Sequence, residues 1–108
     1  MARCFITQLP TVKHDLQILA RFGAITPLLG RGYYPDDVQM YTHEILASCD
    51  KSLIEFNPEV DYIVPLGDSC VVSTITIWLE RNGYLPATFL KYDKKLRGYY
   101  EIKIGEKI

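Results

Sequence analysis

Strands and helices alternate along this chain, and the alternation predicts a small three-layer α/β domain, Rossmann-like or flavodoxin-like in its order. Three observations carry that expectation. Short aliphatic runs recur at Arg3 to Gln8, Ala24 to Leu29, Asp61 to Leu66 and Ala87 to Tyr92. Segments with apolar residues three or four apart lie between them, the spacing of an amphipathic helix. Gly67-Asp68-Ser69 cuts off one aliphatic run and opens the next apolar segment at once, as a strand does when it turns into a helix. The resulting order is β-α-β-α-β-α-β-β. Such alternation implies a parallel sheet with right-handed crossovers. The simplest arrangement is 2-1-3-4, with a final antiparallel strand at the far edge.

Each element has its own signal. Strand one, Arg3 to Gln8, stops at Leu9-Pro10-Thr11 because Pro10 cannot donate to a ladder. Thr11 can cap the next segment, Lys13 to Phe22, whose stripe is Leu16, Ile18, Leu19, Ala20 and Phe22. Asp15 falls early and Arg21 late, as the helix dipole prefers, and Gly23 ends it. Strand two, Ala24 to Leu29, contains Pro27 and is therefore expected at a sheet edge. Pro35-Asp36-Asp37 opens the clearest helix, with Val38, Tyr41, Ile45, Cys49, Leu53 and Phe56 on one face. Gln39, His43, Glu44, Asp50 and Lys51 form its polar face, and Asn57-Pro58 ends it.

Strand three is Asp61 to Leu66, the expected sheet centre. Ser69 to Glu80 is rich in β-branched residues, which favour a strand. Its length and the Val71, Ile75, Trp78, Leu79 face favour a helix, buried on most sides and stopped by Asn82-Gly83. Ala87 to Tyr92 is strand four. Asp93 to Gly98 is a charged turn, and Tyr99 to Ile104 alternates as the second arm of a terminal hairpin. The whole chain of 108 residues reads as one domain, without linker, repeat or low-complexity tract.

Composition narrows the function classes. A net charge of −1 exerts no general pull on nucleic acid or anionic membrane, so nucleic acid is disfavoured as a partner. Lys91, Lys94, Lys95, Arg97 and Lys103 make a local basic patch, diluted by Asp93 and Glu101. Cys4, Cys49 and Cys70 lie far apart, with neither a disulfide framework nor zinc-ligand spacing. A reducing cytosol follows as the expectation. No signal-peptide core or membrane span is present in the sequence. Eight tyrosines, two pairs of them at Tyr33-Tyr34 and Tyr99-Tyr100, suit half-buried edges and interfaces.

Several of these pieces together resemble a family of small, uncharacterised accessory proteins of tailed phages. They are Arg21-Phe22-Gly23 before an aliphatic strand, the tract Asp61-Tyr62-Ile63-Val64-Pro65-Leu66-Gly67-Asp68-Ser69, and Lys91-Tyr92-Asp93 with Gly98-Tyr99-Tyr100. The tract is similar to an aliphatic strand followed by Gly-Asp-Pro or Gly-Asp-Ser. Pro27 and Pro65 depart from the pattern. The resemblance implies a phage accessory gene and a host-cytoplasm setting, and it transfers no active site.

Gly67, Asp68 and Ser69 are the candidate ligand-binding residues. A helix N-terminus suits an anion, yet Asp68 would repel one and could instead hold a ribose hydroxyl or a metal. An ordinary strand-to-helix turn explains the same residues. Arg31 in the Gly30 to Pro35 loop is the candidate positive charge for that crevice. Tyr33 and Tyr34 are the candidate partner-binding residues. Cys70 in the first helical turn could pair with His14 as a thiol nucleophile, although a small buried thiol is the plainer reading. Asp36-Asp37 reads as a cap, and His43-Glu44 lacks the second histidine of a zinc motif.

No catalytic constellation is complete and neither a metal nor a cofactor is implied. The expected function is therefore a non-enzymatic phage protein that binds a host protein, as an inhibitor of host-takeover or anti-defence type. The alternative is a nucleotide or small-anion binder at Gly67-Asp68-Ser69. Self-association is a further arrangement, through an apolar edge at Ile102, Ile104 and Ile108.

Overall fold

Five strands form one mixed sheet in the order β2-β1-β3-β4-β5 in the computed structural model, which describes residues 1–10, 16–30 and 38–106. The strands are β1 (Arg3–Gln8), β2 (Ala24–Leu29), β3 (Tyr62–Val64), β4 (Ala87–Asp93) and β5 (Gly98–Ile104). β2, β1, β3 and β4 run parallel, and β5 returns antiparallel to β4. Pro27 sits in β2, at the sheet edge, where a missing N–H costs no internal ladder bond. The architecture is thus mixed α/β on a mostly parallel sheet.

The connections explain the layers. A right-handed crossover places its helix on a face set by its direction along the sheet. The step from β1 to β2 runs one way, whereas β2 to β3 and β3 to β4 run the other. The connecting helices therefore fall on opposite faces. A 3-10 helix, Leu16–Arg21, follows β1, while α1 (Tyr41–Ser52) and α2 (Ser69–Arg81) share the other face. Two cores result. Phe5, Leu29, Ile63 and Phe89 pack with Ile45, Cys49, Val71, Ile75, Trp78 and Leu79 under α1 and α2. Cys4, Ile6, Val64, Leu66 and Leu90 pack with Leu19 under the 3-10 helix.

Several elements differ from the sequence expectation. The segment expected as a helix over Lys13 to Phe22 is a 3-10 helix where described, and Thr11, Lys13, His14 and Asp15 lie outside the described residues. It closes with Phe22 N–H donating to the Leu19 carbonyl at 2.8 Å. Gly23 does more than stop it. A Cβ there would collide with the Ala2 carbonyl, so glycine lets this turn lie against the start of β1.

A 3-10 turn, Val38–Met40, leads into α1, and the Asp36-Asp37 cap lies outside the described residues. The helix ends at Ser52, short of Asn57-Pro58. Leu53 and Phe56 still reach the core from the turns beyond, with Phe56 N–H bonded to the Leu53 carbonyl at 3.0 Å. β3 is shorter than Asp61 to Leu66. Pro65 has no N–H to offer, and the Leu66 N–H donates to Thr7 Oγ1 at 2.9 Å instead of to a strand.

The β-branched run after Ser69 is helical. Thr74 and Thr76 donate their hydroxyls to the carbonyls four residues back, at 2.8 Å each, which satisfies them inside a helix. Tyr84 N–H donates to Leu79 O and Gly83 N–H to Glu80 O, with Gly83 at φ +75°, a Schellman stop. The helix is not buried on most sides. Val71, Ile75, Trp78 and Leu79 are inside, but Ser73, Ile77 and Glu80 are exposed. β-Branched residues here mark packing on a sheet rather than burial all round.

Candidate functional site

The carboxyl ends of the parallel strands face one edge of the sheet. β1 lies where crossovers leave in opposite directions, the place at which open α/β sheets take ligands. Gly67, Asp68 and Ser69 stand at that edge, all three exposed. Gly67 has φ +89°, and a Cβ there would strike the Gln8 side chain. Gln8 is buried at the end of β1, and its Oε1 accepts the Asp68 N–H at 2.8 Å. Asp68 is the residue before α2, and its Oδ1 accepts the Cys70 N–H at 2.7 Å. Thr7, fully buried, receives the Leu66 N–H and donates its hydroxyl to the Leu66 carbonyl.

The turn is thereby built from β1. Gln8 fills the space beneath it, and Thr7 holds the chain just before it. Asp68 places a carboxylate on the first turn of α2, where a bound anion would otherwise seek N–H groups. What the arrangement offers chemically is a rigid, acidic turn with an exposed Ser69 hydroxyl and an exposed Cys70 thiol. The expectation of a buried Cys70 is therefore corrected. At the first turn of α2 its side chain faces outward, whereas the inward position is taken by Val71. Arg31, Tyr33, Tyr34 and His14 lie outside the described residues. Among the described residues, no group of three or more His, Cys, Asp or Glu side chains could hold a metal ion.

Sequence reasoning passed over the buried polar residues Thr7 and Asp61. Asp61 is 3% exposed at the opposite edge, where the strands begin. Its two oxygens accept the Arg3 and Asn57 N–H groups at 2.9 Å each, which ties the start of β1 to the loop after α1. The Arg3 guanidinium sits 3.7 Å from Asp61, donates to the Glu55 carbonyl at 2.8 Å and lies over the Phe5 ring. These groups are architectural. A polar residue at the end of an otherwise apolar strand was their one signal in the sequence.

Beside them, at the same amino edge, a shallow apolar groove is lined by Met1, Ala2, Ala20, Arg21, Phe22, Gly23, Ala24 and Ile25. Ile25 is 39% exposed, and Phe22 packs edge-on against Tyr62 at 5.5 Å. Burial pushes the two inner thiols up, Cys4 to about 11 with help from Asp61 and Cys49 to about 12 with help from Asp50. Neither serves as a nucleophile at neutral pH.

A family model described as phage Pam3 gp32-like protein matches residues 2–106. The chain belongs to that family. The phage origin implied by the resemblance is thus supported over the whole fold, and the match singles out no motif within it. No curated protein and no solved structure matches the chain. Within this Pam3 gp32-like chain, among the described residues, no helix is long and apolar enough to cross a membrane.

Proposed function

We propose that this member of the phage Pam3 gp32-like family is a non-enzymatic binding protein that acts in the host cytoplasm on a host protein, as a host-takeover or anti-defence inhibitor. The apolar groove at the amino edge is the observation that carries the reading. Met1, Phe22 and Ile25 bring apolar surface to a rim that also holds Arg21, beside the edge strand β2. A strand at the sheet edge next to exposed apolar side chains is the kind of surface a folded partner covers. Arginine and aromatic side chains are the residues that commonly anchor such contacts. A nucleotide or small anion at Gly67-Asp68-Ser69 has less in its favour, since Asp68 is a cap of negative charge and Gln8 occupies the space below.

The test is affinity capture from host lysate with the full chain, then measurement of the identified partner against variants. Ile25→Asp is expected to weaken that complex about tenfold or more, with the fold intact by circular dichroism. Alanine at Arg31, Tyr33 and Tyr34 tests the second surface that the sequence singles out. A partner that binds all these variants as it binds the parent chain overturns the reading, as does failure to recover any partner.

A further inference from the structure

The hairpin of β4 and β5 carries charge in a way that the sequence average conceals. β3 pairs with β4 only at Thr88 and Phe89, so the distal half of the hairpin continues as a two-stranded ribbon. Because β4 runs parallel to β3, the ribbon tip stands at the carboxyl edge, the edge of the Gly67 turn and opposite to the groove. Lys91, Lys94, Lys95 and Arg97 are all exposed on it. Among the described residues, none of the four makes an ion pair.

Of the two acids that dilute this patch in sequence, Glu101 is set apart in space and Asp93 is held by the backbone of the loop. Residues directly opposite in an antiparallel pair share a face. Lys91 is opposite Tyr100, while Glu101 is opposite Leu90 and therefore projects from the other face. Asp93, half-buried at the end of β4 on the face of Lys91, stays within the patch, where its Oδ1 accepts the Lys95 and Leu96 N–H groups at 2.8 and 3.3 Å and braces the loop that carries the cations. Arg97 takes φ +50° to close that loop. Tyr100, 41% exposed, lies beside Lys91, and Leu96 at the tip is 75% exposed.

We propose that this ribbon binds nucleic acid, with Lys91, Lys94, Lys95 and Arg97 on the phosphates and Tyr100 stacked on an unpaired base. Two considerations select nucleic acid over an acidic protein surface. Lysine, which supplies three of the four cations, is depleted at protein interfaces, whereas lysine and arginine together neutralise phosphates. An exposed aromatic ring among cations is the recurring platform for single strands. The net charge of −1 does not oppose this, because local field decides contact and four exposed cations outnumber the one carboxylate, Asp93, that stands among them. This site is separate from the groove and stands or falls independently of the host-protein reading.

The experiment is fluorescence anisotropy of the full chain with labelled oligothymidylate and a labelled duplex, each across a salt series. Binding is expected to both, tighter to the single strand, with log K falling against log salt with a slope of about −2.8 on the single strand and about −3.6 on the duplex, as four phosphate contacts require. The Lys94→Glu, Lys95→Glu, Arg97→Glu variant is expected to lose about a hundredfold on both probes and to flatten the slope. Tyr100→Ala is expected to lose about tenfold on the single strand and little on the duplex. Lys51→Glu, on α1, controls for a charge reversal placed away from the ribbon and leaves binding unchanged. Absence of salt-dependent binding overturns the proposal. So does equal loss in the Lys51→Glu control, or competition by polyglutamate as strong as that by oligothymidylate.

Discussion

The two faces of the sheet are built to different thickness. One is covered by α1 and α2, thirteen-residue α2 contributing Val71, Ile75, Trp78 and Leu79 to a core that also takes Phe5, Ile63 and Phe89. An aromatic run, Phe5 to Phe56 to Tyr84 to Trp78, links ring centroids 5.6 to 5.8 Å apart across it. The other face has the six-residue Leu16–Arg21 segment as its described cover, with Leu19 its one fully inserted side chain. Around that cover, Leu9, Leu16, Phe22, Tyr62 and Tyr99 are only partly buried. The difference teaches where stability and recognition reside. Area removed from water is concentrated under the two α-helices, at roughly 25 cal/mol per Å². The thin face leaves apolar surface at its margin, and the groove beside Ile25 lies there.

The largest effects test that division directly. Leu79→Ala on the thick face is expected to cost about 3 to 5 kcal/mol, because packing on all sides prevents collapse into the cavity. Leu19→Ala is equally buried but has one thin layer above it, so about 2 to 3 kcal/mol is expected. Urea unfolding of both variants measures the difference. Equal losses would mean that the two faces bear load alike and would end the comparison.

The seam between the faces gives the next effect. Gly67→Ala combines a left-handed backbone with a collision against Gln8, and a loss of about 2 kcal/mol is expected. Gln8→Ala in the same chain removes the amide end of the obstacle but keeps the Cβ that the new methyl also strikes, and it leaves the Asp68 N–H without its acceptor, so little of the stability returns. Full rescue would show that the turn needs no support from β1.

The smallest effect compares the faces by pH, through one buried thiol in each. Cys4 on the thin face titrates at about 11 and Cys49 on the thick face at about 12, both raised from 9.0 mainly by burial. A raised folded value means that the unfolded chain releases the proton first. Each contribution is therefore complete below pH 9 and is lost as pH climbs towards the folded value. Stability should fall from about pH 9 upward, and Cys49→Ala should make the fall shallower throughout and remove the part that extends beyond the Cys4 range. At neutral pH a thiol reagent should label Cys70 alone in the native chain, because Cys4 and Cys49 are buried. Native labelling of Cys4 at a rate near that of Cys70 would show that the thin face opens readily.

Local order was largely legible in the residues themselves. Both ends of β1 and β2 coincide with the aliphatic runs, because Pro10, Gly23 and Gly30 interrupt a backbone pattern set by neighbours. α2 was legible against its own strand propensity, since an apolar face with a glycine stop needs only helical spacing. Pro27 announced an edge strand. What the chain could not disclose locally were partnerships across the sheet. Gln8 meets Asp68 sixty positions later only because β1 lies beside β3. The length of β3 depends on Thr7 taking the Leu66 N–H, and the exposure of Cys70 on which side of α2 meets the sheet. Glu101 and Lys91 separate because cross-strand register assigns them to opposite faces. Periodicity and turn chemistry act over a few residues and can be read from the sequence. Burial, the filling of the switch-point crevice and the separation of Glu101 from Lys91 arise from contacts between segments apart in sequence, and only the tertiary structure decided them.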